Sequence, residues 1–471
     1  MENCFWEFKE WRYFVKTLIK GGLLVLEKET LQGDILIEDG IIKDIGTDIT
    51  QTADKVIDAK GMVVLPGGID VHTHFNLDVG VFTTDDFLTG TTAAAFGGNT
   101  AIVDHMAFGP KGCNLHHQVK AYEGYTKGKC VIDYGLHGVV QEVNESILDE
   151  MESMVDEGIP SFKIYLTYDY KTEDLEAISV LKRLKELTGI TAVHCENDAI
   201  IKYMRHGLIS EGKTEAKYHA LSRPEVCESE AVNRIIALAE IADNAPLYIV
   251  HVSAGESVDL IRKAREKGNN VYGETCPQYL FLDETYYEAP GDEGLKYIMS
   301  PPLRNKKNHE ALWNGIKDGT LQVVATDHCT FDFHGDKQRG KDDFTKCPNG
   351  GPGVETRIPL MYSEGVIKGR ITHNEFADII STNPAKIFGL YPKKGILAKG
   401  SDADITLIDP DKQVVIHKRI LHENVDYTAY EGFEVKGWPV LTMVRGRIVA
   451  ENGKLMVAPG FGEFIHRKRS S

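Results

Sequence analysis

From Val15 onward the chain alternates apolar and polar positions in short runs. In GDILIEDGIIKDIG (33–46) the period of two predicts a pair of strands, with Asp39-Gly40 between them as a tight hairpin turn. The pattern returns near the other end in ADITLIDPD (403–411) and VLTMVRGRIVAENGKL (440–455), the latter with an Asn452-Gly453 turn. Neither half-sheet can bury its apolar face alone, so the two are expected to meet in one small β-sandwich built from both chain ends.

Between them, short apolar runs alternate with amphipathic stretches. The runs are VVLPGGIDVHTHF, TAIVDHMAF, VIDYGLHGVV, IPSFKIYL, ITAVHCEN, LYIVHVSA, NVYGETC and LQVVATDHC, and helical patterns such as LEAISVLKRLKELT (175–188) and SEAVNRIIALAEIA (229–242) lie between them. Eight such units predict an α/β fold, a (β/α)8 TIM barrel, whose functional groups gather at the C-terminal ends of the strands. The expected organisation is an N-terminal extension over 1–14, a discontinuous β-sandwich over 15–66 and 390–458, a barrel over 67–389 and a solvated C-terminal tail over 459–471.

The polar residues fall at the ends of those runs. His72 and His74 are two apart, so on a strand both side chains share a face. His194 ends the fifth run, His251 the sixth and Asp327 the eighth. Each alone could be a hydrogen-bonded core residue. Four histidines and an aspartate on one rim are hard to explain structurally, because unpaired polar groups there are costly, whereas imidazoles with a carboxylate suit zinc, with manganese or iron as alternatives. Lys163, in SFKIYLTY, faces the same rim. As an ammonium it is a snorkelling or salt-bridged side chain; as a carbamate formed with carbon dioxide it is an anion able to bridge two metals. His105 and His137 also end strands and are assigned to a supporting layer around the ligands, while His328, next to Asp327, should point away from its neighbour's face.

Composition narrows the classes. A formal net charge of -17 over 471 residues, with no long basic stripe, argues against nucleic acid as a partner. The opening MENCFWEFKEWRYFVKTLIKGG carries charges every few residues and lacks the apolar core of a signal or membrane helix, so a cytoplasmic protein without a membrane partner is expected. The eight cysteines are scattered singly, as in a reduced protein without a disulfide framework.

Together PGGIDVHTHF, SFKIYLTY, VHCEN, YIVHVS, ETCPQYL, SPPLR, ATDHCTF and CPNGGPGVETR resemble the cyclic amidohydrolases of the hydantoinase and dihydropyrimidinase group, over residues 15 to about 465. HFNLDVG, DHMAFGP, YHALSRP and TDHCTF resemble the phenylhydantoinase branch in particular. The resemblance implies two divalent metals per subunit, zinc foremost, with His72, His74 and Asp327 on one, His194 and His251 on the other, and carboxylated Lys163 (N6-carboxylysine) bridging both. It also implies that Tyr168 donates to the oxyanion, that Ser300 and Asn349 hold the amide edges of a substrate ring, and that the protein is a homotetramer. The reaction implied is attack by a metal-bridged hydroxide on a cyclic amide, with Asp327 moving the proton to the leaving nitrogen.

D-5-aryl hydantoins opened to N-carbamoyl-D-amino acids are the first expectation, since Phe75, Leu77, Val79 and Tyr165, with Tyr170, would place apolar side chains at the pocket mouth. A dihydropyrimidinase acting on dihydrouracil or dihydrothymine is the alternative. Allantoinase and dihydroorotase would need polar or cationic contacts absent from these motifs. A non-catalytic scaffold homologue would lack ligands that are all intact here.

Overall fold

The computed structural model describes residues 16–468, so the expected extension over 1–14 lies outside the described residues. The chain begins with β1 (Thr17–Val25), β2 (Thr30–Glu38), β3 (Ile41–Gly46), β4 (Lys55–Asp58) and β5 (Val63–Pro66). The barrel strands follow: β6 (Gly68–Thr73), β7 (Asn99–His105), β8 (Asp133–Val139), β9 (Ser161–Tyr165), β10 (Ile190–His194), β11 (Leu247–Ile249), β12 (Val271–Thr275) and β13 (Val323–Val324). The chain then returns through β14 (Ile405–Val415), β15 (Glu434–Val444), β16 (Arg447–Glu451) and β17 (Lys454–Leu455).

The end strands join where β5 pairs antiparallel with β14, which makes one continuous sheet of the two halves. Both expected turns form, with Asp39-Gly40 and Asn452-Gly453 at positive φ, the geometry that matches the twist of a two-residue hairpin. The sheet curls on itself, for a Cβ at Gly40 would lie 2.8 Å from the Arg445 carbonyl of the β15–β16 turn. Inside the curl, Ile19, Leu24 and Ile37 from one end pack with Ile405, Leu407 and Met443 from the other, so the apolar alternation read from sequence is spent on one shared sandwich core.

The second sheet is parallel throughout, in the order β6 to β13, and each of the eight predicted runs contributes one strand to it, the first only beyond VVLP, which is β5 of the other sheet. It closes through a parallel bridge from Thr73 to His328, reinforced by the His74 N–H donating to the His328 carbonyl at 2.9 Å. The interior is packed: Ile69, Val71, Ala101, Val103, Ala192, Tyr248, Val323 and Ala325 meet Phe388 and Leu390 in one cluster. The two predicted helices form as Asp174–Glu186 and Glu225–Ile241 on the outside. No helix among the described residues is long and apolar enough to cross a membrane, and the seven cysteines described are free.

The C-terminal tail departs from expectation. Instead of a solvated end, residues 463–467 lie against the start of β8: Tyr134 N–H donates to the Glu463 carbonyl and Ile465 N–H to that of Tyr134. Arg467 is 3% exposed and donates to Ser161 Oγ at 2.8 Å and to the Leu136 carbonyl, both at the barrel base.

Candidate metal centre and substrate cavity

Strand alternation alone does not bring the ligands together. In β7, β10 and the eighth run the polar terminus is in phase with the interior: Ala101, Val103 and His105; Ile190, Ala192 and His194; Val323, Ala325 and Asp327. His72 and His74 are out of phase with interior Ile69 and Val71, and a register shift between Asp70 and Thr73 turns the end of β6 so that the imidazoles face the rim. His251 is likewise out of step with Tyr248 and Val250, and its φ of 41° rotates it inward. Asp327 and Tyr168 also adopt left-handed backbone, at φ 53° and 76°. Such strain in residues with a Cβ collects where the fold holds a side chain against its local preference.

The donor atoms form two groups. Asp327 Oδ1 lies 3.2 Å from His72 Nε2 and 3.1 Å from His74 Nε2, and the three residues can hold one ion between them. His72 Nδ1 faces Glu274 Oε1 at 2.6 Å, which orients Nε2 toward the cavity, where it is buried without a hydrogen-bond partner. In the second group His194 Nδ1 and His251 Nε2 face each other at 2.9 Å, and Glu196 Oε2 lies 2.8 Å from the other nitrogen of His194. Burial, first of all, holds His72, His194 and His251 below the usual imidazole range, which favours the neutral form that ligates.

Lys163, on β9, is 1% exposed, and its amine lies 5.3 Å from the Tyr165 ring centre with no hydrogen bond or ion pair among the described residues. Burial brings its ammonium down to about 8 against the opposing pull of Asp327 and Glu274. A buried amine without a counter-ion beside five metal-type donors fits an anionic derivative better than a structural cation. Burial raises Tyr168, with Arg223 opposing, so its hydroxyl is a proton donor; the ring lies against His194 and the Arg223 guanidinium. Arg223 in turn pairs with Glu196. Ser300 Oγ donates to Asn349 Oδ1 at 2.9 Å.

The four histidines, Asp327, Lys163, Tyr168, Ser300 and Asn349 line one cavity of about 700 Å³, which also includes Leu77, Val79 and Tyr165, while Glu196, Arg223 and Glu274 lie behind its wall. Phe75 is not among its walls: the ring is fully buried between Phe87 and His328, since the residue after His74 turns back into the outer packing. His105 meets His72 edge-to-face and stacks on His74 beneath them, and His137 lies deeper, against Phe388 and Ser161; neither reaches the cavity. His328 points outward to Asp85 at 3.0 Å.

Sequence reasoning missed Glu274 and Glu196, the carboxylates that orient His72 and His194. Their signal was present in ETCPQYL and VHCEN, as charges inside buried runs. Phe108 was missed too; it packs against Tyr165 and Tyr170 at the mouth.

The amidohydrolase family model matches residues 63–449. The D-phenylhydantoinase of Escherichia coli O81 (strain ED1a) is 51% identical over 456 residues, 96% of this chain and 98% of that protein. The dihydropyrimidinase of Brevibacillus agri NCHU1002 superposes with a TM-score of 0.95 at 46% identity, covering 97% of this chain and 99% of that one. The D-hydantoinase of a Bacillus sp. AR9 superposes with a TM-score of 0.94 at 45% identity, covering 96% and 99%.

Proposed function

The chain belongs to the amidohydrolase family, and we propose that it opens D-5-monosubstituted hydantoins, aryl ones foremost, to N-carbamoyl-D-amino acids. It is a hydrolase of carbon–nitrogen bonds in cyclic amides. The observation that carries the substrate reading is the juxtaposition, in one cavity, of the histidine–aspartate–lysine cluster with an apolar mouth of Leu77, Val79, Tyr165, Phe108 and Tyr170.

In this reading His72, His74 and Asp327 would hold one divalent metal and His194 and His251 a second, with carboxylated Lys163 as the anion shared between the two sets. Its neutral amine adds to carbon dioxide and loses a proton, leaving an anionic carbamate. The metals, zinc foremost, would supply hydroxide near neutral pH and polarise the ring carbonyl. Asp327 takes the proton of the attacking water and delivers it to the leaving ring nitrogen as the C–N bond breaks. Tyr168 donates to the developing oxyanion, and Ser300 with Asn349 holds the amide edge. Glu274 and Glu196 keep the imidazoles turned toward the cavity. The aromatic mouth receives the 5-substituent and excludes water.

A second reading, a dihydropyrimidinase, is favoured by the close superposition on the Brevibacillus agri enzyme. A kinetic comparison of D- and L-phenylhydantoin, dihydrouracil, dihydrothymine and allantoin on metal-analysed protein separates the two. D-phenylhydantoin is expected to turn over fastest; faster turnover of dihydrouracil than of every aryl hydantoin would overturn the assignment. A cytoplasmic homotetramer completes the proposal, and sedimentation of the purified protein checks the assembly.

A further inference from the structure

The wall that carries Ser300 and Asn349 rests on a lysine that the chemistry above does not use. Lys337, in the short turn Asp336–Gly340, is fully buried. Its ammonium donates to three backbone carbonyls, of Ile298 at 2.8 Å, Pro348 at 3.1 Å and Gly350 at 2.7 Å. Three N–H groups thus meet three acceptors, with no carboxylate paired to the charge among the described residues. A buried cation without a counter-ion is a costly way to hold a loop, and neutral side chains hold most loops.

Its acceptors belong to both segments of the amide-reading edge. Ile298 lies two residues before Ser300, and Pro348 and Gly350 flank Asn349. The segments are laced to each other as well, for Gly350 N–H donates to the Ile298 carbonyl at 3.0 Å and Ser300 Oγ to Asn349 Oδ1. On the opposite side a Cβ at Gly350 would lie 2.3 Å from the Cys329 carbonyl, so the segment is pressed against the backbone just beyond Asp327. Lys337 therefore joins the Ser300 and Asn349 segments to each other, and Gly350 carries that edge against the backbone just beyond Asp327.

A trans peptide directs its N–H opposite to its carbonyl. With the Pro348 carbonyl on Lys337, the Asn349 N–H points away from the lysine, and it takes no partner among the described residues. An ammonium on the oxygen polarises that peptide and strengthens the N–H as a donor. We propose that Lys337 is a positioning residue for substrate: it sets the register of Ser300 and Asn349 against the metal cluster and primes the Asn349 N–H for an oxygen of the ring. This rests on the reading of Ser300 and Asn349 as the contacts of a cyclic amide.

Such an edge binds ground state and transition state alike, so its loss appears in KM. Lys337→Met keeps the apolar stem and removes the charge and donors. On metal-analysed holoenzyme with D-phenylhydantoin and dihydrouracil, it is expected to raise KM about tenfold or more for the preferred ring, with kcat within about threefold and metal content unchanged. A KM within about twofold of wild type, or a loss of metal, overturns the proposal. Should that variant fail to fold, Lys337→Gln, which keeps two donors without the charge, is read the same way: a KM raised about fivefold supports the proposal and an unchanged KM overturns it. Failure of the underlying reading is separate, since wild-type protein would then open neither ring.

Discussion

Lys163 and Lys394 are almost equally buried, 1% and 2% exposed, near opposite ends of the same barrel. At the base, Lys394 Nζ lies 2.7 Å from Asp133, 3.0 Å from Asp402 and 2.6 Å from Asp404, which ties β8 to the sandwich. Burial opposes its charge, yet the three carboxylates outweigh burial and hold the ammonium above the ordinary lysine range. At the rim, Lys163 has no such partner, and burial prevails. On the proposed role of Lys163, the two surroundings separate a structural from a reactive amine: counter-charges at contact distance fix the first, and their absence beside metal-type donors distinguishes the second.

The strongest way to break this contrast is to remove each amine. Lys163→Ala is expected to lower kcat/KM by about a thousandfold or more and to strip bound metal, without loss of fold, and short carboxylic acids should restore part of both. Unchanged metal content by elemental analysis would refute the bridge. Lys394→Met should do the reverse, leaving Asp404 without a counter-charge and Asp133 and Asp402 with only Arg445 at 3.3 Å and Lys393 at 4.0 Å, and costing about 3–5 kcal/mol of stability in denaturant titrations, while activity per folded molecule stays near wild type. The pH dependence sharpens this. Because the folded state raises the pKa of Lys394 above its unfolded value, the stabilisation is fully present below about pH 10.5 and is lost only as pH rises through the folded value. The gap between wild type and Lys394→Met should therefore stay level across neutral pH and close only in strong alkali.

Smaller effects test the rim more finely. Tyr168→Phe should lower kcat about a hundredfold with metal content intact, the signature of a lost oxyanion donor rather than a lost ligand. At the mouth, Val79 is 56% exposed, so Val79→Ser should leave stability within about 0.5 kcal/mol and change KM for an aryl hydantoin by about twofold to fivefold. A large loss of stability there would mean that the loop, like the base, is part of the packed scaffold.

Much of the molecule was legible as a sequence because its signals are local. A period of two with Asp39-Gly40 or Asn452-Gly453 specifies a hairpin, and apolar runs ending in His194 or Asp327 specify strands whose polar ends share a rim. The helices at 174–186 and 225–241 follow from their apolar spacing. Other features have no local signal. The tail carries HRKRSS and reads as solvated, yet Arg467 finds its partners in Ser161 and Leu136, some 300 residues away. Phe75 reads as a pocket residue by adjacency to His74, while the turn of the chain sends it into the packing against Phe87.

The sequence by itself determined the residue types of the centre, the eight strands that carry them and the two chain ends that must meet. Only the tertiary structure decided which way each donor faces. Strand alternation predicts a face only while the strand is regular, and here a register shift before Thr73 and a left-handed His251 bring out-of-phase imidazoles to the cavity. Closure of the barrel by Thr73 and His328 then sets the distance between the first and last ligands. Long-range pairing and backbone strain depend on where distant segments dock, and no interval along the chain encodes that.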